Sequence, residues 1–372
     1  VSVVDLDDLA TRDAARLDPS LYASGNRPVL IDEYQKVPTI LDAIKAELNQ
    51  SSAPGQFVLT GSTRYDALPT IAQSLTGRLH RLTAHPLTQA ELEGRATNIV
   101  TTLFNGPQEL RTASPSKTTR GDYIHRIVRG GFPLALARSK TASRNRWFDD
   151  YLALTLERDA REVRELHRSS RLPRLLERLA GQTGQVLNVS KAGQAAGLEA
   201  NTAGDYVRVL EALFLVHQLP AWGKTLTSRS TKSPKIHVVD SGVAARLQRL
   251  SEDKLANRDA TALTELGHLL ETFVVNELLR HVSWLEATFT VGHWRTHDGD
   301  EIDLILERDD GKIVAVEVKA TTRVGDEAYG ALRKLRAAVG ERFHVGVVLH
   351  LGQHSLRAED DIYAAPVDVL WR

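Results

Sequence analysis

The chain has 372 residues, 42% of them hydrophobic and 25% charged, an ordinary composition for a globular protein of two to four domains that excludes wholesale disorder and fibres. Basic and acidic residues number 47 each, so there is no global positive field, and any nucleic-acid contact must come from a local patch. Cysteine is absent, which excludes disulfides, cysteine-ligated zinc, iron–sulfur clusters and thiol nucleophiles and fits a reducing compartment.

No apolar run approaches the roughly 18 residues of a membrane span. Residues 1–8 have neither the basic nor the apolar region of a secretion signal. The expectation is a cytoplasmic protein with no membrane partner. Methionine is absent and arginine (35) outnumbers lysine (12), which points to GC-rich coding and to a first residue that is not the natural start.

In chain order, residues 1–6 read as a strand and 7–17 as a helix. A buried parallel strand over 27–31 ends in Asp32-Glu33, and a helix follows over 40–48. A second buried strand over 56–59 ends in Thr60-Gly61-Ser62; a helix over 68–75 and a strand over 79–82 come next. Two buried strands with polar carboxyl ends mark a ligand crevice. Residues 105–122 read as a linker because of Gly106-Pro107 and Ser114-Pro115-Ser116. Helices follow at 123–129, stopped by Gly130-Gly131-Phe132-Pro133, and at 144–165. Trp147, Phe148 and Tyr151 lie at helical spacing and read as core. Arg158, Arg161, Arg164 and Arg168 read as one solvated, salt-bridged helix face.

Residues 172–240 have the pattern of a winged helix. Helices fall at 172–179, 189–196 and 203–213, and a wing hairpin leaves at 214–219 and returns at 235–239. Lys224, Arg229, Lys232 and Lys235 make a local basic patch there. Such a module places its third helix (201–208) in a major groove or docks another protein; both readings stay open. The last stretch reads as a helix over 263–282, strands at 288–295, 301–308 and 312–320, a helix at 328–339 and a closing strand at 344–350. Asp298-Gly299 and Asp309-Asp310-Gly311 supply hairpin turns. The 13 histidines show no metal spacing, and His293 and His297 read as solvated.

Val29-Leu30-Ile31-Asp32-Glu33 has the form of a Walker B strand. Asp32 at its tip suits Mg²⁺, and Glu33 beside it suits polarising an attacking water. Leu6-Asp7-Asp8, Ile31-Asp32-Glu33-Tyr34-Gln35, Leu59-Thr60-Gly61-Ser62, Gly77-Arg78 and Pro86-Leu87 occur in the order found in a family of prokaryotic AAA-type ATPases with a C-terminal domain of unknown function. The chain resembles that family through to Gly130-Gly131-Phe132-Pro133 and Val239-Asp240-Ser241-Gly242. The resemblance implies ATP and Mg²⁺ as cofactors, Thr60 and Ser62 as γ-phosphate sensors, and Arg78 as an arginine finger reaching a neighbouring subunit of a homo-oligomer. It departs from the family in having no Gly-x-x-x-x-Gly-Lys-Ser/Thr. The Gly223-Lys224-Thr225 segment has Gln218 where the first glycine should fall. Weak or no ATP binding is expected without that phosphate cradle.

A second constellation lies in the last stretch. A three-residue turn at 309–311 pairs Arg308 with Lys312 and so sets Asp303 opposite Glu317, with Lys319 on the same strand face as Glu317. Two adjacent carboxylates repel and want a cation between them, and Mg²⁺ suits oxygen ligands. Asp303, Glu317 and Lys319 resemble the pattern of the PD-(D/E)XK nuclease-like fold, and Glu271 on the preceding helix matches its helical glutamate. That resemblance implies Asp303, Glu317 and Glu271 as metal ligands, with Asp303, Glu317 and Lys319 catalytic.

The expected fold class is therefore α/β multidomain: an incomplete AAA-type parallel sheet over 1–104, a linker and helical lid over 105–171, a winged helix over 172–258, and a restriction-endonuclease-like α/β domain over 259–372. The expected function is that of an AAA-type, ATPase-like protein associated with DNA. The alternatives are a Mg²⁺-dependent nuclease and a non-enzymatic regulator that binds DNA or protein.

Overall fold

The computed structural model describes residues 2–51, 53–61, 75, 77–112, 114–159, 169–223 and 233–372. They divide into two compact units. One comprises Val1–Leu82, Leu154–Ser169 and Arg208–Phe214; the other comprises Thr83–Ala153, Ser170–Val207 and Leu215–Arg372.

The first unit is built on a parallel sheet of β1 (Ser2–Asp5), β2 (Val29–Asp32) and β3 (Phe57–Leu59), in the order β1-β2-β3. Val4 pairs with Ile31, and Ile31 with Leu59. The apolar run Val29-Leu30-Ile31 takes the middle position because Val29 and Ile31 are fully buried. Helices Leu9–Leu17 and Ile40–Gln50 contribute Ala15, Ile40, Leu41 and Ile44 to the same core as Leu6, Val29 and Ile31. Burial of each such aliphatic side chain contributes roughly 1.5–3 kcal/mol. The first helix starts at Leu9 rather than at residue 7 because the Asp8 carboxylate accepts from the Thr11 N–H at 2.8 Å and caps it. No strand forms over residues 79–82; Leu79 is 41% exposed and Leu82 85%. A strand buried on neither face does not offset its ordering entropy. The expected helix at 68–75 lies outside the described residues apart from Leu75.

The second unit carries two sheets. The smaller is antiparallel, with β4 (Gln185–Val186), β5 (Val216–Leu219) and β6 (Lys235–Val238) in the order β4-β6-β5. In chain order it accompanies helices Leu172–Ala180 and Val189–Ala196 and the part of helix Ala200–Ala212 up to Val207, the order expected for residues 172–240. The larger has six strands: β7 (Phe289–Arg295), β8 (Glu301–Arg308), β9 (Ile313–Lys319), β10 (Phe343–His350), β11 (Leu356–Glu359) and β12 (Ile362–Pro366). Their order is β11-β12-β10-β9-β8-β7. β7, β8 and β9 are antiparallel neighbours, and β10 runs parallel to β9 across helix Gly330–Val339. The expected strands extend only to β10. The fully buried β12 run was too short to stand out by periodicity. Residues 105–122 are not all loop either: they hold helix Glu109–Thr112 and the start of helix Arg120–Arg129.

The strand register is the one the hairpin turn dictated. Gly311 takes a positive φ of 83°, the Arg308 N–H donates to the Lys312 carbonyl at 3.0 Å, and Leu304 pairs with Val316. Just beyond β5, the Trp222 N–H donates to the His293 carbonyl on β7, and the His293 N–H donates to the Pro220 carbonyl. This stitch joins the two sheets. It also buries His293, expected to be solvated, at 1% exposure, with its Nε2 3.2 Å from the Ser233 carbonyl.

Candidate functional site

Three of the sequence motifs meet in the second unit, and their meeting is structural. Asp240 accepts from the N–H groups of Gly131, Gly242 and Val243 at 2.7–3.1 Å. Arg280 donates to the carbonyls of Leu87 and Val239 and to Glu277, whose other oxygen accepts from the Gln89 N–H at 2.8 Å. Backbone packs so closely here that a Cβ at Gly131 would lie 2.3 Å from the Leu87 carbonyl oxygen. Pro86-Leu87, Gly130-Gly131-Phe132-Pro133 and Val239-Asp240-Ser241-Gly242 thus form one buried clamp. Burial raises the carboxyls of Asp240 and Glu277, the latter to about 7, although Arg280 opposes the shift in both.

In the first unit, parallel β2 and β3 set Asp32 and Thr60 side by side at their carboxyl ends. The Thr60 hydroxyl donates to the Asp32 carboxylate, and the Thr60 N–H donates to the Ile31 carbonyl at 3.0 Å. Glu33 follows with a left-handed backbone (φ 55°), an uncommon conformation that turns the chain off the strand tip. Its carboxylate accepts from Gln35 Nε2 at 2.5 Å. Asp7 of the Leu-Asp-Asp motif pairs with the buried Lys36 ammonium, and Asp8 is the helix cap. Arg78 is exposed and donates to Asn49 at 2.6 Å. Ser62 lies outside the described residues. The carboxylate and hydroxyl at the strand tips fit a hydrated Mg²⁺. The sequence has no Gly-Lys loop to cradle a triphosphate beside them.

The second unit brings Glu271, Asp303, Glu317 and Lys319 together, as the sequence predicted. Helix Ala260–Ser283 carries Glu271; β8 carries Asp303, and β9 carries Glu317 and Lys319. Asp303 Oδ2 accepts from the Val318 N–H at 2.9 Å, and Lys319 Nζ lies 2.6 Å from Glu317 Oε1. Two members were missed. Glu301 shares the β8 face with Asp303, a period-2 relation visible in Glu301-Ile302-Asp303. Lys235 was counted with the wing's basic patch, yet it opens the strand Lys235-Ile236-His237-Val238, which is buried at every position.

Lys235 stands at the centre of the cluster. Its Nζ lies 2.6 Å from Glu271 Oε1, 2.5 Å from Glu301 Oε1 and 2.8 Å from Asp303 Oδ1. Burial alone would lower this ammonium; Asp303, Glu271 and Glu301 reverse that and raise it. Glu271 is raised well above the usual range by burial and then by Asp303, and Glu317 is pushed up to about 8 for the same two reasons. Among the described residues, no group of three or more histidine and acidic side chains is arranged to hold a metal ion. An open cavity of about 390 Å³ in the same unit, lined by Gln89, Glu93, Lys117, His125, Arg126 and Arg129, touches none of these residues.

Residues 1–93 match an AAA domain. The AAA-like region thus contains Asp32, Glu33, Thr60 and Arg78. Residues 120–254 and 266–370 match two further families, each described as a domain of unknown function. Uncharacterized proteins of Mycobacterium tuberculosis and Mycobacterium bovis are each 24% identical over 359 residues, covering 96% of this chain and 72% of the relative. No helix among the described residues is long and apolar enough to cross a membrane.

Proposed function

We propose that the chain is an ATPase-like protein of the AAA type that works on or beside DNA. The observation that carries this reading is the pairing of Asp32 with Thr60 at the carboxyl ends of adjacent parallel strands, inside the region that matches an AAA domain. In this reading Asp32 holds Mg²⁺ and Glu33 polarises water, while Thr60 or Ser62 senses a γ-phosphate. Arg78 serves a second copy of the chain. DNA contact is assigned to residues 172–258, read as a winged helix whose helix Ala200–Ala212 enters the groove. The order of helices and β4, β5 and β6 supports that reading. Of its basic patch, Lys224, Arg229 and Lys232 lie outside the described residues, and Lys235 turns inward.

Mg²⁺-dependent binding of a fluorescent ATP analogue tests the nucleotide reading. Binding is expected to depend on Mg²⁺ and to be lost in Asp32→Asn. Equal binding by Asp32→Asn would sink it.

A second reading concerns residues 259–372. The helix–three-strand–helix–strand order and the clustering of Asp303, Glu317, Lys319 and Glu271 support a PD-(D/E)XK-like domain. The Lys235 ammonium among its carboxylates favours the form that binds nucleic acid without cutting it. DNA binding that persists in EDTA, with no cleavage in Mg²⁺, is the expected result.

A further inference from the structure

Lys235 Nζ donates to the carboxylates of Glu271 and Asp303 and is ion-paired with a third, Glu301, each within 2.8 Å. Its side chain is 1% exposed. The strand that delivers it is fixed from two sides. β6 pairs with β4 and β5, and the segment after β5 is stitched to β7 through Trp222 and His293. The ammonium is therefore placed by the fold.

We propose that Lys235 is the built-in cation of this cluster and that it keeps divalent metal out, holding the C-terminal carboxylates in a metal-free, non-cleaving state. This rests on the PD-(D/E)XK-like reading of residues 259–372. The charges support it. Glu271, Glu301, Asp303 and Glu317 carry four potential negative charges, met by the Lys235 and Lys319 ammoniums and, at 3.8 Å from Glu301, by the Arg295 guanidinium. The pocket nevertheless keeps the features of a cation site. Glu317 is 7% exposed, and its Oε2 has no hydrogen-bond partner. It stands one register step beyond Leu304–Val316, beside Asp303. With the ammonium removed, Glu271, Asp303 and Glu317 present a hard-oxygen ligand set suited to Mg²⁺ or Mn²⁺.

Mn²⁺ titration of the full chain, followed by electron paramagnetic resonance and by thermal melting, tests the proposal. Lys235→Ala should gain one Mn²⁺ site at least about tenfold tighter than any site in the unaltered chain. Mn²⁺ should raise its melting temperature, and adding Asp303→Asn should abolish both effects. A folded Lys235→Ala protein that binds Mn²⁺ no more tightly than the unaltered chain overturns the proposal. Should Lys235→Ala fail to fold without metal, the unaltered chain decides. Saturable Mn²⁺ uptake lost in Asp303→Asn overturns the proposal, and no such uptake supports it. DNA cleavage separates this inference from the reading beneath it. Mn²⁺ bound by Lys235→Ala without cleavage contradicts a nuclease site and leaves the lysine's role standing. Mn²⁺ uptake with cleavage by the unaltered chain does the reverse.

Discussion

The two units handle clustered acidic side chains in opposite ways. In the first, Asp32 ends the middle strand of a small parallel sheet and bonds the neutral Thr60 hydroxyl, and the Glu33 carboxylate accepts from the Gln35 amide. In the second, Glu271, Glu301 and Asp303 are gathered round a buried ammonium. A carboxylate bonded to neutral groups keeps its charge available to an incoming cation. One saturated by lysine has already spent it. Asp32 and Glu33 close an apolar strand, whereas Glu301 and Asp303 open β8 and Glu271 lies within a helix, and the two clusters are expected to differ in what they bind.

That contrast can be broken most sharply at Lys235. Lys235→Ala in EDTA leaves three carboxylates around an empty centre, and loss of about 3–5 kcal/mol in a urea titration is expected. A loss under about 1 kcal/mol, the range of exposed pairs, would show the ammonium to be no more than a surface partner. The clamp should come next. Asp240→Ala strips one acceptor from three buried N–H groups and from Arg280, at a cost of about 1–3 kcal/mol or more in the same titration. Gly131→Ala should cost about 1–3 kcal/mol through overpacking against the Leu87 carbonyl.

The pH dependence sharpens the same comparison. Glu277 has its carboxyl raised to about 7 from an ordinary 4.5, so the folded state holds a proton that the unfolded state releases. Its contribution is full below about 4.5 and fades as pH rises through about 7. The difference in melting temperature between Glu277→Gln and the unaltered chain should therefore shift in favour of the variant across that window. A flat difference would contradict the assignment. The smallest effect on stability is expected at Asp32→Asn, within about 0.5 kcal/mol, because Asp32 is half-exposed and bonds mainly to Thr60. Its effect should fall on Mg²⁺-dependent nucleotide binding instead.

Much of this was legible in the residues. The turn chemistry of Asp309-Asp310-Gly311 determined the β8–β9 register, and with it the meeting of Asp303 with Glu317, because a side-chain period of two leaves no freedom once the loop length is known. The parallel strands ending in Asp32 and Thr60 were readable for the same reason: buried apolar runs have polar ends where the chain surfaces. What could not be read was long-range. Lys235 is 36 residues from Glu271 and 68 from Asp303, and nothing local distinguishes it from a wing lysine except the apolar strand it begins. His293 was misread as solvated because its burial comes from a distant segment, 220–222, that pairs with β7. The glycines at 130, 131 and 242 read as a helix stop and a family motif. Their physical reason is close approach of backbone to backbone and to Asp240.

The most direct test is a crystal structure of the unaltered chain grown in Mn²⁺ and measured at the manganese absorption edge. The account predicts no anomalous peak among Glu271, Asp303 and Glu317, with Lys235 Nζ seated between Glu271, Glu301 and Asp303. A peak ligated by Asp303 and Glu317, with the Lys235 side chain displaced, would contradict it.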